Sequence, residues 1–378
     1  MKITSVDLFP VPPRWLFVRI QTNDGLTGWG EPTVEGRALT TSTAVRELSD
    51  QLLGKDPRRI EDLFQAMHRG NFYRGGCILT SAISGVEQAL WDIKAKSFGV
   101  PVYELLGGPV RDKMRLYAHI GGPTPEACAT AAKAMVDKGF TALKMSVTQE
   151  TEWIESPAAV DRAVAMFAET RTAAGRDTRI AIDFHGRVHR AFARILAKEL
   201  EQFSPYFYEE LLLPEHNDAL REVARAAAVP IATGERLYTR WEFKKILEDG
   251  VVDIVQPDVS HCGGIFEMRK IAAMAEAYDV CLAPHCPLGP VTFAASLQVD
   301  FCTPNALIQE QVFTLQDEYV SDYTFNDPPI VENGFIALPR NPGLGVDINE
   351  AAVREATNEN LSWRVPRLHT ADGAVAEW

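Results

Sequence analysis

Asp183 and His185 stand two residues apart at the end of the apolar run Arg179–Ile182. In a strand, side chains i and i+2 share a face. A carboxylate and an imidazole therefore look into the same space, a pairing suited to metal binding with proton transfer. Glu209 ends the run YFYEELL 26 residues later, and Glu235 ends IATGERL after another 26. Three carboxylates on three successive strand ends are hard oxygen donors. They suit Mg²⁺, which takes oxygen ligands and keeps positions for water or substrate. Zinc would want His or Cys nearer the centre. Glu210 points to the opposite face from Glu209, and spacing alone leaves open which of the two is the ligand.

Other strand ends carry Lys144, Asp258, His285 and Glu310. His285 lies in APHCPLGP, one strand after Asp258 in QPDVS. Neighbouring strands are about 4.8 Å apart, so an Asp–His pair is within reach. The carboxylate would fix the imidazole tautomer and raise its basicity. His185, in phase with Asp183, is the candidate opposing acid. Lys144 is a candidate for binding an anionic substrate or oxyanion, and Glu310 for hydrogen-bonding an oxyanion or pairing with Lys144. A divalent metal, a His base and a second His suit removal of a proton α to a carboxylate. Loss of a β-hydroxyl would follow, turning a 2,3-dihydroxy acid into a 2-keto-3-deoxy acid. The string SHCGG (260–264) reads as a tight turn into a helix whose first amides are suited to an anion. His68, His119, His189, His216, His261 and His369 show no nameable partner in the sequence.

A scaffold must bring these ends together. From about residue 112, eight apolar runs alternate with amphipathic helical stretches: MRLYAHI, TALKMSV, IAIDFHG, YFYEELL, IATGERL, IVQPDVS, CLAPHCP and LIQEQVF. Such βα units predict parallel strands with right-handed crossovers, and eight of them predict a closed (β/α)8-type barrel of the α/β class. An open doubly wound sheet is the rival, but no GxGxxG turn follows the first strand. A barrel of this kind carries its site at the C-terminal strand ends. Unpaired buried charge is costly there, and a shared metal is the simplest reason for so many ionisable groups. Residues 1–111 read as an α+β unit, with WLFVRIQT, the turn Asn23-Asp24-Gly25 and GLTGWGEP as a hairpin followed by three helices. The expected division is 1–111 (capping unit), 112–340 (barrel) and 341–378, a segment with one short helix that packs back on the capping unit.

With 46% hydrophobic and 24% charged residues over 378, the composition is that of an ordinary globular protein. The net charge of −13 argues against nucleic acid and anionic membranes as partners. The six cysteines form no CxxC pair, and no apolar run reaches membrane-spanning length. Reduced thiols and a cytoplasmic location are the expectation.

The strings WGEP (29–32), FYRGG (72–76), DFHGR (183–187), GER (234–236), QPDVSHCGG (256–264), AEAYDVCLAPHCPLGP (275–290), QEQ (309–311) and VAEW (375–378) resemble the enolase superfamily, in its mandelate racemase and acid-sugar dehydratase branch. The resemblance spans nearly the whole chain. It implies one Mg²⁺ per subunit on Asp183, Glu209 and Glu235, and His285 as the base oriented by Asp258. It further implies His185 as the acid that assists loss of the 3-hydroxyl, and Glu310 as a stabiliser of the enediolate. Glu31 and Arg74 would contact the sugar tail from the capping unit, the substrate would be a small acid sugar, and the enzyme would be a homo-oligomer. Two departures stand out. Glu209-Glu210-Leu211 replaces the Glu-Glu-Pro of many relatives, which predicts a local backbone change with the metal retained. Lys144-Met145-Ser146 lacks the second Lys of the racemase K-x-K pair, which counts against racemisation through Lys. An epimerase on the same scaffold, a sugar-acid binding protein and a Schiff-base aldolase using Lys144 are the other readings.

Overall fold

A computed structural model describes residues 1–226, 228–311, 325–326 and 329–378. Three antiparallel strands, β1 (Ile3–Val11), β2 (Trp15–Thr22) and β3 (Thr27–Gly30), open the chain in that order. Helices α1 (Ala38–Leu52), α2 (Ile60–Arg69), α3 (Gly76–Phe98) and α4 (Val102–Leu105) follow. α3 packs closely on β3. Gly28 and Gly30 face the backbone carbonyls of Ala89 and Gly85, where a Cβ has no room. The hairpin and the three long helices expected from the sequence are present.

The second part is a parallel sheet of seven strands: β5 (Ala118–His119), β6 (Ala142–Met145), β7 (Arg179–Asp183), β8 (Tyr208–Glu209), β9 (Ile231–Thr233), β10 (Ile254–Val255) and β11 (Cys281–Leu282). Helices α5 (Pro125–Asp137), α6 (Pro157–Ala174), α7 (Arg190–Glu201), α8 (Leu220–Ala224), α9 (Thr239–Asp249), α10 (Ile265–Ala277) and α11 (Pro290–Phe301) lie between and after them. The ring closes through residues 306–309. Ala306 bridges Leu282 on one side, and Gln309 bridges Leu116 on the other, both in parallel. The eighth run therefore acts as the closing stave, although Val312 and Phe313 lie outside the described residues.

Two boundaries differ from the sequence reading. The run 114–120 is not one barrel strand. Its first part, β4 (Lys113–Arg115), pairs antiparallel with β13 (Phe335–Ala337), which in turn pairs with β12 (Val331–Glu332). The amphipathic helical stretch expected between YFYEELL and IATGERL begins as a 3₁₀ turn over Pro214–Ala219 that leads into the short α8. Here Pro214 begins the turn and the backbone at His216 leaves helical geometry.

The barrel interior is a layer of eight side chains: Tyr117, Ala142, Ala181, Phe207, Ala232, Ile254, Ala283 and Ile308. Each is buried, and four bulky side chains share the layer with four alanines. Two residues further along each stave stand His119, Lys144, Asp183, Glu209, Gly234, Gln256, His285 and Glu310. The strand period of two thus puts a polar layer directly above the apolar plug.

α12 (Glu350–Ala356) and the segment after it pack on the first sheet. Glu350 pairs with Arg19, Asn358 donates its amide to the Pro10 carbonyl, and Leu361 packs with Leu16 and Ala38. Among the described residues, no helix is long and apolar enough to cross a membrane.

Candidate active site

The polar layer opens into a cavity of about 540 Å³ walled by barrel ends, the N-terminal unit and residues 365 and 378. Parallel pairing sets Asp183 beside Glu209 in register. Glu235 joins them by a different route. It follows Gly234, whose φ of 138° is open to glycine and whose missing Cβ leaves room for Phe243 and the Gln256 amide. Ligand atoms of Asp183, Glu209 and Glu235 lie within 4.8 Å of one another, and all three residues are largely removed from solvent.

The electrostatics of this cluster call for a cation. Lys144 sits among the acids, 2.5 Å from Glu209 Oε1, 2.7 Å from Glu310 Oε1 and 3.3 Å from Asp183 Oδ2. One ammonium thus serves three carboxylates, and Glu235 adds its charge to the same cluster. Burial and the neighbouring Asp183 push Glu209 well above the usual carboxylate range, and burial raises Glu235 to about 7. Glu209 Oε2 is buried with no hydrogen-bond partner among the described residues. Three converging oxygens, one of them orphaned, and an excess of negative charge fit a divalent ion with open positions.

Glu210 is not aimed at that point. Its backbone sits at φ 45°, and its carboxylate accepts bonds from the Thr233 hydroxyl, the Gly234 amide and the Arg236 guanidinium. The open choice between the two glutamates is thereby resolved in geometry: Glu209 enters the cluster, and Glu210 braces Arg236.

Two imidazoles flank the cluster. His285 Nδ1 is 2.8 Å from Asp258 Oδ2, while its Nε2 lies 3.6 Å from Glu235 Oε2. Asp258 also accepts the Ser260 amide, so its carboxylate is fixed in place. Burial lowers the His285 pKa, but Glu235, Asp258 and Glu310 outweigh it and raise it to about 10. His185 comes in beside Asp183, with Nε2 3.2 Å from Asp183 Oδ2 and its backbone at φ 53°. Burial, with Lys144, Arg187 and Arg236 nearby, pushes it down to about 4 against the pull of Asp183. Glu310 accepts the Cys286 amide and lies 2.8 Å from His119 Nε2.

Two expected substrate contacts are not in the cavity wall. Glu31 is fully buried, and its carboxylate accepts the amides of Gly289 and Thr292 at the start of α11. It docks the N-terminal unit on the barrel, because a helix N-terminus offers unpaired N–H groups to an acid. Arg74 is exposed in a loop and is not among the residues that line the cavity. The amides after SHCGG are likewise occupied by the chain itself, since Glu87 accepts from Ile265 and Phe266.

Conversely, several lining residues had no role in the sequence reading. His119 belongs to the polar layer, and counting two residues beyond Tyr117 finds it. His261, bonded through Nδ1 to Ser81 Oγ at 2.8 Å, and Arg14, paired with Glu35 at 2.5 Å, reach the cavity from loops. Arg187, Tyr238 and Trp378 also line it. No periodicity marks these loop positions.

Comparison with known proteins agrees with this architecture. The mandelate racemase / muconate lactonizing enzyme N-terminal domain matches residues 12–107, and the enolase C-terminal domain-like family matches residues 127–352. The chain is 52% identical to a D-galactonate dehydratase of Ralstonia pickettii and 49% identical to one of Pectobacterium atrosepticum, each match covering the full length of both chains. Among solved structures it resembles an enolase from Agrobacterium radiobacter bound to sodium and L-malate (TM-score 0.92, 33% identity, all of both chains). It also resembles a mandelate racemase/muconate lactonizing enzyme from Jannaschia sp. CCS1 (TM-score 0.87, 34% identity, 95% of this chain and 98% of the other). The chain belongs to the mandelate racemase/muconate lactonizing enzyme family of the enolase superfamily.

Proposed function

We propose that this chain is a Mg²⁺-dependent hydro-lyase that dehydrates an aldonic acid, D-galactonate first, to the 2-dehydro-3-deoxy acid. The observation that carries the reading is the pair of imidazoles on two sides of one carboxylate cluster, only one of them backed by an aspartate through Nδ1. Full-length identity of about half to D-galactonate dehydratases supports the substrate.

Asp183, Glu209 and Glu235 would hold the ion. When bound, it supplies positive charge that acidifies the C2 proton, steadies the enediolate and relieves the carboxylate charge around His285. His285, oriented by Asp258, takes the C2 proton on Nε2. Lys144 and Glu310 stand where the substrate carboxylate gains charge. Lys144 offsets that charge, and Glu310, with His119 behind it, anchors the donor side. His185 then gives its proton to the departing 3-hydroxyl. The substrate carboxylate brings negative charge beside this imidazole, which favours its protonated form against the effect of burial. At the cap-side rim Arg14 is already paired with Glu35, so that end meets a hydroxyl tail more readily than a second carboxylate.

Six free thiols fit a reducing, cytoplasmic setting. Exposed Phe72 and Tyr73, beside the helix that brings Cys77 to the cavity, fit a homo-oligomer.

The test is incubation with D-galactonate and Mg²⁺ and detection of a 2-keto acid as its semicarbazone. Keto acid from D-galactonate supports the reading. Silence across a panel of five- and six-carbon aldonates would overturn it.

A further inference from the structure

The two imidazoles of the site are held in different ways. Asp258 fixes the ring of His285 through Nδ1. Nδ1 of His185 is buried and has no hydrogen-bond partner among the described residues. Apart from the contact of its Nε2 with Asp183 Oδ2 at 3.2 Å, this ring is oriented by what packs on it. Trp378 packs there, its ring centre 5.7 Å from that of His185 and its plane at 83°, an edge-to-face contact. Trp378 is itself held by Arg187, whose guanidinium stands 5.2 Å from the indole centre and donates to the Thr148 carbonyl.

Trp378 arrives at the end of a strap that reaches the cavity wall at Val365 and again at Trp378. Leu361 is anchored on Leu16 and Ala38, and Trp363 lies under Arg14, both on the N-terminal unit. Val365 passes Gly36, and Val365 and Trp378 both wall the cavity. The strap thus joins the N-terminal unit to the end of β7, where His185 stands.

We propose that Trp378 is a positioning residue for His185. It holds the imidazole with Nε2 toward the 3-hydroxyl, and so governs whether the enediolate eliminates or reverts. The inference rests on the dehydratase reading above. In the step concerned, the C3–O3 bond breaks and its electron pair leaves on O3, which takes the Nε2 proton and departs as water. The enediolate pair closes the C2=C3 double bond, and His185 ends neutral. In the competing step, His285 returns a proton to C2 and regenerates substrate. In heavy water that return places deuterium at C2.

The experiment follows both fates by NMR with D-galactonate, Mg²⁺ and the full-length enzyme in D₂O, comparing wild type, Trp378→Ala and Trp378→Phe. Keto acid formation should fall about ten- to a hundredfold in the Ala variant, while deuterium entry at C2 of residual substrate is retained. The Phe variant, still able to pack edge-to-face, should recover most of the lost elimination. If exchange and elimination fall together, if neither changes, or if Phe is no better than Ala, the positioning role is wrong. A wild-type enzyme that makes neither product from any aldonate would overturn the dehydratase reading, and this inference with it.

Discussion

His285 Nδ1 and Asp258 Oδ2 are 2.8 Å apart, on the ends of two adjacent staves. The bond leaves Nε2 as the nitrogen facing Glu235 and the cavity. Replacing Asp258 by Asn keeps the shape but offers an amide that can hold the wrong tautomer. Asp258→Asn should lower kcat on the order of 10²-fold or more, with a much smaller change in KM. C2–H exchange in D₂O should fall by the same factor, because both readouts depend on one proton abstraction. Steady-state assay of keto acid and NMR of exchange check this together. Exchange that survives while dehydration falls would assign base action elsewhere.

The carboxylate cluster predicts dependence on an added cation. Treatment with EDTA should abolish turnover, and Mg²⁺ should restore it. The ion should also raise the thermal midpoint, since it binds the folded chain and not the unfolded one. Glu209→Gln should remove both effects, as it deletes the buried acid whose Oε2 has no partner of its own among the described residues. Atomic absorption and thermal scans with and without Mg²⁺ read this out. Full activity in metal-free buffer would refute the assignment.

Much of the site was legible because strands impose a period of two. Asp183, Glu209, His285 and Glu310 each stand two residues beyond an interior side chain, so their convergence follows from the apolar runs alone. The same count places His119, which isolated inspection passes over. Glu235 breaks the count, because the turn at Gly234 delivers it after β9 has ended. Asp258 likewise stands beyond the end of β10, where strand phase no longer dictates direction. Spacing put both at the rim, but where their side chains aim is a property of the turns. Glu31 was harder to read for a physical reason: a lone acid after a strand looks the same whether it faces a ligand or a helix N-terminus. Trp378 carried no periodic signal, and its string VAEW entered only the family resemblance. It lies at the far end of an irregular strap, and its contacts with His185 and Arg187 arise only once the chain has folded back to the cavity wall.

Glu31 gives a prediction that separates docking from substrate contact. Its two oxygens accept the Gly289 and Thr292 amides, and Thr33 Oγ1 donates to the same group. Glu31→Ala would leave buried N–H groups unpaired, at about 1–3 kcal/mol each. The expected result is a clear drop in thermal midpoint, with kcat reduced through the His285 loop and KM little changed. A raised KM with unaltered stability would favour the sugar-contact reading instead.

The last prediction concerns pH and the second docking acid. Glu87 accepts the Ile265 and Phe266 amides and the Trp91 indole N–H. Burial outweighs these bonds and raises its pKa from 4.5 to about 8. Between those values the folded chain retains a proton that the unfolded chain has released. The contribution to stability is therefore fully present below about pH 4.5 and is lost as the pH rises through 8. The thermal midpoint should fall between about pH 5 and about pH 8.5, with a flatter slope in Glu87→Gln, which cannot ionise. The size of the effect is on the order of a few kcal/mol at most. A midpoint that rises over this range, or an unchanged slope in the variant, would show that Glu87 is ionised in the folded chain and that the helix N-terminus, not burial, dominates at the junction.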